Sequence, residues 1–199
     1  MKRLNYLYFL LLLSFALTAC GDSAAGATNN APPLRIHAPQ LSHPLLAAMP
    51  PSRLVIPAIK LDTSVVELGW SAKQNQEGQV FGEWDVADFA AGWHKNSARL
   101  GEQGNVVLSG HNNILGAVFR ELDQLKQGDT ATLYSGGIPF TYEVDEVMIV
   151  PEKYAKPAQR KQNAQWIGPF ADNRLTLVSC WPRDNNTHRI IVVAHLAKP

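Results

Sequence analysis

Beyond Pro51 the chain breaks into short apolar runs separated by Gly, Pro, Asn and Asp, the punctuation of an all-β domain. The spacing predicts eight strands: Arg53 to Ile56, Leu61 to Glu67, Gln79 to Trp84, Asn105 to Ser109, Thr130 to Tyr134, Phe140 to Val150, Leu175 to Ser179 and Arg189 to Leu196. In the sixth, Phe140, Tyr142 and Val144 alternate with Thr141, Glu143 and Asp145, the two-residue period of a strand with one face buried. Ser135-Gly136-Gly137 offers a hairpin turn to the strand ahead of it. Ile190 to Ala194 is apolar throughout, which fits a central strand covered on both faces. Only Gly116 to Leu125 has helical spacing, with Val118, Phe119, Leu122 and Leu125 on one side. No internal repeat is visible.

The N-terminal fifty residues follow a different pattern. Lys2 and Arg3 precede the apolar Leu7 to Leu13, and the segment ends in Leu17-Thr18-Ala19-Cys20, the layout of a secretory signal. The apolar stretch from Leu4 to Ala19 is shorter than the ~20 residues that span a bilayer comfortably. Residues 1–19 are therefore expected to be a signal peptide, with an uncleaved anchor as the alternative. From Gly21 to Pro51 the chain is rich in Ala, Pro, Asn and Ser and reads as part of a flexible linker over residues 20–51. At about 5–6 Å times the square root of length, such a tether holds residues 52–199 some ~30 Å from its anchor.

The length of 199 residues favours one domain, and 46% hydrophobic against 18% charged residues excludes general disorder. The formal charge is +1, from 18 Lys and Arg against 17 Asp and Glu; removing Lys2 and Arg3 leaves 16 against 17, or −1. That balance argues against nucleic acid as a partner, since counterion-driven affinity needs a basic surplus.

The chemistry concentrates at strand ends. Leu175 to Ser179 delivers Cys180 to the end of a strand, where Pro182 stops regular pairing. After a polar loop the chain re-enters as a strand at Arg189, so that a guanidinium returns close to the thiol, able to stabilise a thiolate and a growing oxyanion. Upstream, Gly104 to Ser109 is a second apolar strand; Gly110 follows it and His111 stands at the mouth of a loop, placed as an acid or base partner for Cys180. Trp181 and His94 are candidate walls of the cleft. His188 alternates to the face opposite Arg189 and is expected to be exposed.

With these residues in view, the chain resembles a sortase. The family's Thr-Leu-x-Thr-Cys motif is matched by Thr176-Leu177-Val178-Ser179-Cys180, with Ser179 as a mild departure, and the family's histidine and arginine map onto His111 and Arg189. Arg53 to Ile59 looks like the family's first strand, Gly104-Asn105-Val106-Val107 also fits, and the likeness runs from about Arg53 to Ala197. The resemblance implies an all-β fold, an eight-stranded sortase-like β-barrel with one or two short helices. It also implies a cysteine transpeptidase that cuts a Leu-Pro-x-Thr-Gly-like signal through a thioacyl intermediate. Cys180 would be the nucleophile, His111 the proton carrier and Arg189 the holder of substrate backbone or oxyanion, with Thr176, Ser179, Trp181 and His94 as substrate contacts. Pro151 to Asp172 would form the long connection that selects substrate.

The expected partners are surface proteins with a C-terminal sorting signal and an amine acceptor, either a peptidoglycan peptide or a pilin lysine. No cofactor and no metal is required. Leu-Thr-Ala-Cys likewise resembles the lipobox of bacterial lipoproteins, which implies lipidation at Cys20 and a place on the extracytoplasmic face of the bacterial cell membrane. Cys180 would then be the lone remaining thiol. Two other readings compete. A peptidoglycan L,D-transpeptidase also uses Cys, His and Arg, but wants Gly directly before the cysteine and an arginine soon after, where this chain has Ser179 and Arg183. A non-catalytic binding module would leave Cys180 buried and idle. Zinc is a poorer fit, because Cys180 and His188 lack close ligand spacing and no second pair exists.

Overall fold

The computed structural model describes residues 50–74, 78 and 80–198. The chain runs β1 (Arg53–Ile56), β2 (Leu61–Leu68), β3 (Trp70–Gln74), β4 (Val80–Trp84), β5 (Ala91–His94), β6 (Gly104–Ser109), β7 (Thr130–Ser135), β8 (Ile138–Pro151), α1 (Pro157–Asn163), β9 (Asn173–Trp181) and β10 (His188–Leu196). Eight strands close into a barrel in the order β1-β2-β5-β6-β9-β10-β8-β7, and β3 and β4 form a separate two-stranded sheet. The barrel is mixed: β2 pairs with β5 and β6 with β9 in parallel, and the other neighbours are antiparallel. The expected signal peptide, Cys20 and nearly all of the expected linker lie outside the described residues.

Side-chain alternation builds the interior. Leu54 and Ile56 of β1, Val106 and Leu108 of β6, Leu175 and Leu177 of β9, and Ile190 and Val192 of β10 all point into one core. Removing a side chain such as Leu177 from this core is worth about 2–5 kcal/mol. Gly136 and Gly137 both have positive φ, 55° and 83°, which gives β7 and β8 the two-residue turn whose twist suits a hairpin. Ile190 to Ala194 is buried throughout, so β10 is covered on both faces as its composition implies.

Three strand assignments differ from the sequence reading, which has no strand at β3 or β5. The predicted strand over residues 79–84 is real from Val80 but pairs with β3 outside the barrel. Its place in the barrel goes to β5, a four-residue strand without alternation, buried at every position. The helix expected over residues 116–125 is reduced to a 3-10 turn at Leu122–Gln124. Phe119, Leu122 and Leu125 are buried as their spacing suggests, but Leu115, Gly116 and Ala117 all hold positive φ, which prevents a right-handed helix from starting there. The α-helix among the described residues is instead α1, with Pro157 in its first turn, followed by a 3-10 turn at Ala164–Ile167.

Candidate active site

Because β6 and β9 run in parallel and end together, and β10 starts where β9 stops, three consecutive barrel strands deliver residues to one rim. The registers pair Ser109 with Val178 and Cys180 with Arg189. Leu177 and Ile190 point into the barrel, so Cys180 and Arg189 stand on its outer face, side by side. Arg189 Nη1 donates a hydrogen bond to Cys180 Sγ over 3.2 Å. Cys180 is partly exposed and is the one free thiol among the described residues.

His111 leaves the rim two residues beyond β6, and both of its neighbours are tied to the cysteine strand. The Gly110 N–H donates to the Val178 carbonyl at 3.3 Å, and Ser179 Oγ donates back to the Gly110 carbonyl at 2.7 Å. A Cβ at Gly110 would fall 2.9 Å from Phe119 and Val118, so glycine is what lets the turn lie against them. Asn112 is buried, and its Nδ2 donates to the Cys180 carbonyl at 2.8 Å and to Asn186 Oδ1 at 3.2 Å. The Phe119 N–H closes the loop on the His111 carbonyl at 2.9 Å. His111 Nε2 lies 3.8 Å from Asp88 Oδ1. Among the described residues the His111 ring makes no hydrogen bond to Sγ.

The remaining sequence candidates occupy different positions. Thr176 is fully buried and donates to Asn105 Oδ1 at 2.8 Å, while Asn105 Nδ2 donates to the Trp166 and Gly168 carbonyls at 3.0 and 3.1 Å. It fastens β9 to the connection over residues 152–172 and offers no surface to a ligand. Ser179 is likewise buried, its hydroxyl committed to Gly110. Both are framework residues, a correction to their reading as substrate contacts. Trp181 is partly buried against the barrel core. His188 is half-buried, not exposed as expected, and its Nδ1 shares a 2.8 Å hydrogen bond with Thr187 Oγ1.

His94 lines a pocket of about 400 Å³ with Asn105, Gly168 and Phe170, between the barrel and the 152–172 connection. It is only 4% exposed, its Nε2 lies 3.0 Å from Ser109 Oγ, and burial pushes its pKa down to about 4. The arginine that follows the cysteine, Arg183, is engaged elsewhere: it donates to the Arg120 carbonyl and pairs with Glu121 and Asp123 at 3.1 and 3.0 Å. It therefore ties down the loop after β9, at a distance from the role that an L,D-transpeptidase would ask of it.

Asp88 and Asn112 were not singled out from sequence. For Asn112 the signal was its place directly after the candidate histidine. Asp88 had none, since it reaches His111 only through folding. Among the described residues, no set of three or more His, Cys, Asp or Glu side chains is grouped to hold a metal ion, and no helix is long and apolar enough to cross a membrane.

A family model described as Sortase domain matches residues 54–197. Among curated proteins, none matches the chain. Among solved structures, the chain is similar to a Clostridium perfringens Sortase D5 transpeptidase at 23% identity and a TM-score of 0.55, covering 75% of this chain and 79% of that one. It is also similar to sortase C-1 from Actinomyces oris, at 21% identity and a TM-score of 0.56, covering 74% and 73%. A lid mutant of sortase A from Corynebacterium diphtheriae gives 22% identity and a TM-score of 0.57, covering 78% and 75%. At these identities the structures establish a shared barrel fold.

Proposed function

Since the chain belongs to the sortase family of cysteine transpeptidases, we propose that Cys180, His111 and Arg189 carry a transpeptidation in which a Leu-Pro-x-Thr-Gly-like signal is cut and passed to an amine. The observation that carries this reading is the 3.2 Å contact between the Arg189 guanidinium and Cys180 Sγ on directly paired residues.

In the first half-reaction the Cys180 thiolate attacks the scissile carbonyl carbon. The C–S bond forms, the C–N bond breaks, and the leaving amine takes its proton from the His111 imidazolium. Arg189 supplies donors to the oxyanion that develops on the carbonyl, at the rim where it already touches sulfur. In the second half-reaction an amine attacks the thioester and His111, now neutral, accepts a proton. The pocket beside His94 and the 152–172 connection is the proposed seat of the part of the signal peptide remote from the scissile bond, because the connection that walls it is the segment expected to select substrate. The protein acts at the bacterial cell surface, held there by a lipid on Cys20, and its substrates are surface proteins that bear the signal.

Mass spectrometry of the protein after exposure to a panel of sorting peptides tests the reading. The expected result is an acyl adduct on Cys180 that vanishes in Cys180→Ala. Cleavage of the peptide by a folded Cys180→Ala protein refutes it.

A further inference from the structure

We infer that Asp88 is the entry subsite for the acceptor, which it receives as an ammonium ion on an alkyl stem and hands to His111. The inference rests on the transpeptidase reading and adds to it the charge and shape of the second substrate.

The site is asymmetric. Arg189 stands at the sulfur and Asp88 at the histidine, and the His111–Asp88 contact is the one ion-pairing geometry that any of the three proposed catalytic residues makes among the described residues. The Asp88 side chain is 60% exposed against 21% for His111, so its carboxylate faces arriving solutes while the ring sits behind it. Among the described residues this carboxylate has no other ion pair or hydrogen bond, and it retains unshared acceptor capacity. An amine at neutral pH arrives protonated. It must shed that proton before it can attack, and a carboxylate 3.8 Å from the base is where an ammonium would be held while it does so.

The carboxylate is also held firmly in place. Phe89, the next residue, has φ +56°, and its N–H donates to the Leu115 carbonyl at 2.7 Å. Gly116 packs so closely that a Cβ there would fall 2.8 Å from Phe89 Cα. Asp88 is thereby fastened to the same loop that carries His111. Phe89 and Leu115, 68% and 42% exposed, put apolar surface beside the carboxylate. That surface suits the methylene stem of a lysine-type amine, whose charged end remains in water until it meets Asp88.

The step balances. The ammonium gives one proton to neutral His111; its nitrogen then attacks the thioester carbonyl, the C–N bond forms and the C–S bond breaks. The C–S electron pair returns to Sγ, which takes the second N–H proton. One amide, one Cys180 thiol and one His111 imidazolium result.

The test is a competition on the full-length enzyme. A sorting peptide that acylates Cys180 is mixed at pH 7 with equal concentrations of Nα-acetyl-lysine amide, which is cationic, and hydroxylamine, which is uncharged. The ratio of lysine adduct to hydroxamate is read by mass spectrometry. Both products come from one thioacyl enzyme, but only the ammonium needs His111 to take a proton before attack, so a loss transmitted through the histidine also lowers the ratio. It does so through kcat, whereas loss of the subsite raises the KM for Nα-acetyl-lysine amide, and a lowered ratio with that KM unchanged overturns the subsite. The expected ratio falls about threefold in Asp88→Asn, the size of effect an exposed ion pair carries, and about tenfold in Asp88→Lys, with Asp88→Glu close to the parent. A ratio unchanged in both Asp88→Asn and Asp88→Lys overturns the subsite while the thioacyl adduct still stands. Absence of the adduct in the parent overturns the transpeptidase reading itself and this inference with it.

Discussion

Lowering the pH should cost the barrel stability through a single buried side chain, His94. In the folded protein burial holds its pKa at about 4, against an ordinary value of 6.5. The unfolded chain therefore binds a proton at this position that the folded chain refuses, throughout the window between those two values. Stability is full above pH 6.5 and falls as the pH drops toward 4. At pH 5 the unfolded state has gained 1.5 units of protonation drive, which at about 1.36 kcal/mol per unit amounts to about 2 kcal/mol. For a domain of this size that corresponds to a melting temperature lower by about 4–8 °C. The chain holds other ionisable groups, so the wild type alone does not isolate the effect. His94→Gln does, because it removes the titrating ring and retains an amide that can bond to Ser109. Melting curves of both proteins at pH 7.5 and pH 5 should show the wild type losing about 4–8 °C more than the variant. Equal losses would mean that His94 is protonated in the folded protein, and that its burial beside Ser109 is not what the structure indicates.

Four further outcomes are expected. Cys180→Ala should abolish adduct and transfer with a melting temperature within a few degrees of the parent, since one small side chain at a strand end contributes modestly to stability. Arg189→Lys should lose about 10²-fold to 10³-fold in transfer rate at saturating peptide, because an ammonium keeps the charge but not the planar fork; near-parental activity would show that directional hydrogen bonding is not what Arg189 supplies. Asn112→Leu should destabilise by about 1–3 kcal/mol in denaturant titrations, by leaving the Cys180 carbonyl without its donor, and should slow acylation of Cys180 by the peptide. Cys20→Ser should move the protein out of the membrane fraction or leave an unprocessed precursor; a processed, membrane-bound variant would refute lipidation at that position.

The strands that could be read from sequence are those whose burial is local. In β8, Phe140, Tyr142 and Val144 announce one buried face by alternating with polar neighbours, and the Gly136-Gly137 pair announces the turn before it. Ala91-Gly92-Trp93-His94 gives no such signal, because both faces of β5 are covered by residues distant in the chain, and its pairing with Val65 to Leu68 exists only once the barrel closes. The apolar positions of residues 116–125 were legible as buried but not as non-helical, since their path is set by three positive φ angles that spacing does not encode. Helix α1 has no apolar period at all, and Pro157 was its one mark. At the site, Cys180, His111 and Arg189 stood out because strand ends confer exposure on reactive groups. Thr176 and Ser179 were misread by the same logic: motif membership does not say which way a side chain turns, and here one turns to Asn105 and the other to Gly110.

Barrel closure has a consequence for how an extended peptide can be read. An open sheet offers a row of unpaired N–H and C=O groups, and a peptide that adds itself as one more strand is bound largely through its backbone, whatever its sequence. The closed order from β1 round to β7 leaves no such row on the barrel. A peptide approaching the rim must displace water from side chains and loop surfaces rather than complete a ladder. Affinity for generic polypeptide is thereby low by construction, and discrimination among neighbouring sequences rests on shape and on a few directed donors. For an enzyme of the cell surface, a catalytic barrel without a sticky border is a means of ignoring most of the exposed chains around it.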